Sequence, residues 1–149
     1  MTAGPLRGVR ILDLTWLLAG AGWTRLLAAA DAEVIRVEWV GKLDFVRLGP
    51  PAVYREGETH APLVYGAGGD QSVMPSLNRN GNFNNINPGK RGISLNLSHE
   101  RGREVFRELV KHADAVLENF SPTAMDRMGL PYSELVELKP DLVYVQASG

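Results

Sequence analysis

Residue types able to grip a small molecule recur in this sequence just after short apolar runs. Behind Val9-Arg10-Ile11-Leu12-Asp13-Leu14 comes Trp16-Leu17-Leu18-Ala19-Gly20-Ala21-Gly22. Small residues there let backbone N–H groups approach a ligand, and the start of a following helix attracts phosphate. The glycines do not fit the dinucleotide fingerprint, and the same small residues equally suit close contact of a helix on a sheet. Trp39 and Lys42 follow a second run, Glu33-Val34-Ile35-Arg36-Val37-Glu38, and read as a rim aromatic beside a solvated lysine. Behind Ala115-Val116-Leu117 stand Glu118-Asn119-Phe120-Ser121-Pro122, offering an amide and an aromatic face, and one helical turn later the segment Asp126-Arg127-Met128 adds a cation. The turn Asn87-Pro88-Gly89-Lys90-Arg91-Gly92 carries two more cations and reads as a solvated loop. Cysteine is absent, and His60, His99 and His112 lack the spacing of a metal site. No nucleophile elbow, Walker loop or carboxylate pair is present, so these residues point to a ligand edge without naming a reaction.

The elements that must position them follow from periodicity. Strands are expected at 9–14, 34–38, 93–97, 115–118 and 142–146, from short apolar or alternating runs. Helices are expected at 20–30, 100–112, 122–128 and 133–139, with Ser98 and Ser133 as N-caps and Gly129 as a left-handed cap. Ile93, Leu95 and Leu97 share one strand face, and Val105, Phe106, Leu109, Val110 and Ala113 form one helical stripe. Between residues 41 and 85 Gly, Pro and Asn recur without a sustained period, which reads as one long excursion, either functional or packed against something outside it. Strands alternating with helices imply a three-layer, Rossmann-like α/β domain with a mostly parallel sheet, whose ligands bind beyond the carboxyl ends of the strands.

Composition narrows the class further. The 149 residues amount to about one average domain, and 44% hydrophobic with 22% charged residues is an ordinary globular balance. Sixteen Lys and Arg against 17 Asp and Glu leave a net charge of -1, which offers no field for a polyanion and argues against nucleic acid. No apolar run approaches the roughly 18 residues of a membrane helix, the start MTAGPLRG lacks a signal-peptide core, and a cytoplasmic protein is expected.

Several blocks taken together carry a resemblance. Pro5-Leu6, Gly8-Val9 and Ile11-Leu12-Asp13-Leu14, then Ala19-Gly20 and Ala32-Glu33-Val34-Ile35, resemble the opening of the family III CoA-transferases, a superfamily that also holds α-methylacyl-CoA racemase. Gly89-Lys90-Arg91, Ala113-Asp114-Ala115-Val116-Leu117-Glu118-Asn119-Phe120, Asp126-Arg127, Gly129-Leu130 and Leu142-Val143-Tyr144 continue it in order and spacing. The resemblance implies a CoA pocket at this sheet edge, with coenzyme A or acyl-CoA as substrate, no covalently bound cofactor and no metal. Leu17, Leu18 and Ala19 match the segment lying against CoA, and Leu95, Asn96, Leu97 and Ser98 match the adenine side. Asn119 and Phe120 match a strand-end contact, and Arg127 and Met128 match a phosphate-side and packing contact. Many members carry Arg where this chain has Trp39, whose indole is suited to stack on adenine instead.

The activity implied is transfer of CoA between carboxylic acids through an enzyme-bound aspartyl thioester, with racemase chemistry or an inactive CoA-binding or partner-binding fragment as alternatives. Family members place the nucleophilic Asp beyond the Ser148-Gly149 that closes this sequence, so no catalytic residue is expected here and the chain alone is expected to be inactive. Asp13, Glu38, Glu118 and Asp126 read as structural acids. The family's longer chain returns to complete the large domain and interlocks with a second copy. A domain incomplete without a C-terminal segment is therefore expected, with an interlocked homodimer or a complementary half as partner.

Overall fold

The computed structural model of the chain describes residues 3–48, 78 and 80–147. Strands β1 (Arg10–Asp13), β2 (Glu33–Glu38), β3 (Arg91–Ser94), β4 (Ala115–Glu118) and β5 (Val143–Gln146) form one sheet in the order β3-β2-β1-β4-β5. Every neighbouring pair is parallel, so among the described residues the sheet is wholly parallel. Helices α1 (Ala19–Ala29), α2 (Gly81–Ile86), α3 (Glu100–Lys111), α4 (Ala124–Arg127) and α5 (Tyr132–Leu138) connect them. From β1 the chain winds outward through β2 and β3, then returns to β4 on the other side. The strand order therefore reverses between β1 and β4, and a crevice opens beyond their carboxyl ends.

Alternation along the strands divides the core in two. Leu12 and Val116 point to one face, where they meet Phe106 and Val110 of α3, Met125 of α4 and Leu135 of α5. Ile11, Val34 and Leu117 point to the other face, packed by Leu27 and Ala28 of α1. A sheet with apolar side chains on both faces thus needs helices on both sides, which gives three layers. Phe106 and Val110 are fully buried, so the apolar stripe of α3 carries much of the larger cluster.

Differences from the expected boundaries have local causes. The strand expected at 93–97 lies at Arg91–Ser94, because β2 ends at Glu38, opposite Ser94, and offers no ladder beyond it. Leu95 N–H donates once more to the Glu38 carbonyl, at 2.9 Å, and the chain then turns. Ile93, Leu95 and Leu97 still face the larger cluster, since alternation reports which side is buried and not where pairing stops. Ser98 does not cap α3; Asn96 Oδ1 accepts its N–H at 3.0 Å, and His99 Nδ1 accepts from Arg101 one residue later. Pro131, not Ser133, caps α5, its carbonyl accepting from Glu134 and Leu135. Gly129 closes α4 with φ of 71°, as expected of a left-handed cap.

The excursion expected at 41–85 has structure at its ends. Phe45–Leu48 form a 3-10 turn, and α2 is capped by Asn80, whose Oδ1 accepts from Phe83 N at 2.9 Å. Six residues with two buried apolar side chains, Phe83 and Ile86, are too short for a period to register. Residues 49–77 and 79 lie outside the described residues.

At the far edge, the Tyr144 hydroxyl of β5 donates to Glu118 Oε1 of β4 at 3.2 Å. Burial first, and then the Glu118 charge, pushes the phenol above its ordinary value. The folded protein thus holds this proton more tightly than the unfolded chain, and the contribution is complete below about pH 10 and lost as pH rises beyond it. Tyr144→Phe is expected to cost about 1 kcal/mol at neutral pH and to flatten the alkaline fall in stability, measured by urea unfolding across pH.

Candidate functional site

The crevice is fastened by one amide. Asn119 Oδ1, after β4, accepts the Trp16 N–H at 2.7 Å, and its Nδ2 donates to the Trp16 carbonyl at 2.9 Å. The strand-end segment of β1 is thereby tied to that of β4. The Trp16 indole meets Phe120 edge-on at 6.0 Å and Phe45 at 5.9 Å. Leu17 follows in the left-handed region, with φ of 60°, a conformation costly for a residue with a Cβ. Its N–H is held by the Asp44 carboxylate, at 3.2 Å from Oδ2.

Beyond these ends lies a cleft of about 310 Å³. Of the residues singled out from the sequence, Trp39, Leu95, Asn96, Leu97, Ser98, Phe120, Arg127 and Met128 line it. They come from the ends of β2, β3 and β4 and from α4, far apart in sequence. Leu17, Leu18 and Ala19 stand exposed outside the wall, and Asn119 spends its side chain on the Trp16 bridge. Leu14, Trp16, Val37, Glu38, Lys42 and Ala124 complete the lining. Trp16 and Lys42 carried a signal in being a ring and a cation just past strand ends, but no local pattern separates a cleft wall from a rim.

The first turn of α3 comes against the backbone of residues 95–98. A Cβ at Gly102 would lie 1.9 Å from the Asn96 carbonyl oxygen, so only glycine permits this approach. On the opposite side Arg127 donates to Ser121 Oγ at 3.0 Å and to Thr123 Oγ1 at 2.5 Å. Two hydroxyls orient this guanidinium, and no carboxylate among the described residues pairs with it.

Behind the cleft lies a buried set of charges. Asp13, at the end of β1, accepts from Thr15 N at 2.9 Å, Thr15 Oγ1 at 2.5 Å, Thr24 Oγ1 at 2.7 Å and Lys90 Nζ at 3.1 Å. The turn at 87–92 is therefore not merely solvated: the Lys90 side chain is 2% exposed, because Asp13 needs a cation where β3 begins. Burial pulls the Lys90 ammonium below its ordinary value, and the Asp13 charge opposes that. Arg36 donates to Asp44 Oδ2 at 2.5 Å and to the Thr15 carbonyl at 2.9 Å. Glu38 accepts from Asp44 N and Arg47 Nε, each at 2.9 Å. Glu118 accepts from Phe120 N at 2.6 Å. Among the described residues, no group of three or more His, Cys, Asp or Glu is placed to hold a metal.

Residues 6–149 match the sequence profile of CoA-transferase family III. The chain belongs to that family. It is 36% identical over 146 residues to acetyl-CoA:oxalate CoA-transferase of Acetobacter aceti, covering 98% of this chain and 32% of that protein. Succinyl-CoA:mesaconate CoA-transferase of Haloarcula marismortui is 39% identical over 146 residues, at 98% and 32% coverage. The solved structure of a CAIB/BAIF family protein from Brucella suis superposes with a TM-score of 0.74 at 33% identity, covering 97% of this chain and 33% of that one. The chain thus spans about a third of the length of the relatives it matches. The cleft of this family III chain is built within that third.

Removing the Asn119 amide should open the family III cleft at its fastening. Asn119→Ala leaves both Trp16 backbone groups unpaired and is expected to cost about 1–3 kcal/mol in urea unfolding. Faster hydrogen exchange at the Trp16 amide should accompany it. Asn119→Asp should not rescue, since it sets a carboxylate oxygen against the Trp16 carbonyl.

Proposed function

We propose that the cleft binds coenzyme A or acyl-CoA, and that this chain is the CoA-binding amino-terminal part, residues 1–149, of an enzyme moving CoA between carboxylic acids. The observation that carries the reading is the gathering of Trp39, residues 95–98, Phe120, Arg127 and Met128 around one cleft beside the switch point of a parallel sheet. Leu14, Val37, Leu95, Leu97 and Met128 offer an apolar slot for an adenine, and Arg127 offers its guanidinium to phosphate. The named relatives act on acyl-CoA with oxalate or mesaconate, which supports a carboxylic acid as acceptor. Leu17, Leu18 and Ala19 border the entrance in this reading, and Asn119 contributes by holding Trp16.

The carboxylate nucleophile comes from outside the residues described. Asp13, Glu38 and Glu118 are each engaged by donors of the fold, so none is free to attack a thioester. In the proposed reaction an Asp carboxylate attacks the acyl-CoA carbonyl, expelling CoA thiolate and leaving a mixed anhydride. The thiolate then attacks the enzyme's carbonyl of that anhydride, forming the aspartyl thioester and releasing the first acid. The second acid returns the CoA by the reverse sequence. The remaining sequence and a second, interlocked copy, or a complementary half, supply the nucleophile and cover what this part leaves open.

Arg127→Ala is expected to weaken CoA binding by about 1.5–3 kcal/mol, the worth of a charge-assisted contact, measured by titration calorimetry on the complete protein. Unchanged affinity would sink the assignment of Arg127. Residues 1–149 alone should give no CoA exchange between an acyl-CoA and a free acid, and restoring the downstream sequence should give it. Turnover by the short chain, abolished by changing one of its own acids, would overturn the location of the nucleophile.

A further inference from the structure

Lys42 brings to the cleft wall a charge that no carboxylate among the described residues pairs. Just past β2, Trp39 and Lys42 form an isolated antiparallel bridge, in which Lys42 N donates to the Trp39 carbonyl at 2.9 Å. The tight turn is closed by its own glycine: a Cβ at Gly41 would lie 2.5–2.8 Å from carbons of the Trp39 indole. The indole therefore lies directly on the Gly41 backbone, and one turn fixes both the ring and the lysine. The Lys42 ammonium stands 5.7 Å from the centroid of the Trp16 ring, another wall of the same cleft.

Charge pairing sets Lys42 apart from the deeper cations. Arg36, Arg47 and Lys90 are each bound to a carboxylate. Lys42 and Arg127 line the cleft with no carboxylate in pairing distance among the described residues. Glu38 is on the same wall, but it accepts from Arg47 and the Asp44 N–H. In the sheet β2 and β4 flank β1, so the turn bearing Lys42 and the segment bearing Arg127 approach the crevice from either side. Two cations that no described carboxylate pairs, in a cleft also lined by Trp16, Trp39 and Phe120, suit a ligand that has an aromatic base and more than one anionic group.

We propose that Lys42 is a second phosphate-binding residue of this cleft, gripping a phosphate of the adenosine half of CoA while Arg127 grips another and Trp39 offers its indole to the base. This rests on the CoA reading above and deepens it. A lysine serves here as a mobile point charge, in keeping with an exposed position at the mouth of the cleft.

The test is calorimetric titration of the full-length protein and of Lys42→Gln, Lys42→Arg and Arg127→Ala with CoA, and with pantetheine as a probe that has the thiol arm and no phosphate. Lys42→Gln should weaken CoA about tenfold, the lower end for a charged contact, and leave pantetheine unchanged. Lys42→Arg should recover most of the loss, and Lys42→Gln should show a shallower dependence on salt. Gly41→Ala, which displaces the indole, should also weaken CoA. Normal CoA affinity in Lys42→Gln alongside a loss in Arg127→Ala would overturn the role of Lys42 and leave the CoA reading standing. Equal loss for CoA and pantetheine would overturn it as well. A wild-type protein with no measurable CoA affinity would overturn both.

Discussion

A carboxylate at the end of the central strand governs this fold. Asp13 is fully buried on β1, and a charge there is tolerable only if donors surround it. Those donors come from the loop beyond β1, from α1 and from the lead-in to β3: Thr15, Thr24 and Lys90. A buried pair of this kind adds little net stability over an apolar replacement, yet removing one partner costs about 3–5 kcal/mol. Its value lies in register. Lys90 reaches Asp13 only if β3 starts where it does, and Arg36, 3.9 Å from the same carboxylate, carries the arrangement on to Asp44. From Asp44 the hold passes to the Leu17 N–H, and so to the backbone beside the cleft. The acid that resembles a catalytic group by type is a structural organiser by position.

The wall of the cleft follows from that frame. Parallel strands with a central β1 bring the ends of β2, β3 and β4 to one edge, and the short segments after them need no further structure to converge. Gly102 sets how near α3 comes to residues 95–98, while the Asn119 amide sets how near the two central strand ends lie. Along α1, Trp23 and Leu26 stand exposed, on a chain spanning about a third of its relatives' length.

How much of this could be read in advance depended on the range of the interaction. β4 was legible to the residue because Ala115–Glu118 is buried on both faces and bounded by turns. The α3 stripe was legible because a helix of 12 residues repeats its pattern. The β3 limits were not, since they depend on where β2 stops, and α2 was hidden by its length. Lys90 was misread because a Lys-Arg pair in a Pro-Gly turn has the same local look whether or not a buried acid waits 77 residues away. Asn119 was picked out as a polar group at a strand end, but its partner, the Trp16 backbone, has no sequence signature. Eight of the residues that the motif blocks singled out line the cleft, but Leu17, Leu18, Ala19 and Asn119 do not, and the place of Leu14, Trp16, Val37 and Lys42 in its wall depended on three-dimensional convergence.

The Trp16–Asn119 bridge joins groups 103 residues apart, and β1 meets β4 over a similar span. A loop of that length closes slowly, so strand pairing of this kind comes late on the path to the native state. The β1-α1-β2 unit can form its local contacts early, but the crevice does not exist until β4 arrives. The shape of the crevice is then tied to the cooperative transition of the whole sheet and not to any early-folding part of it. A nascent chain that has emerged only through β3 lacks the β4 wall of the crevice, and any small molecule that seats there would add its binding free energy to this long-range closure.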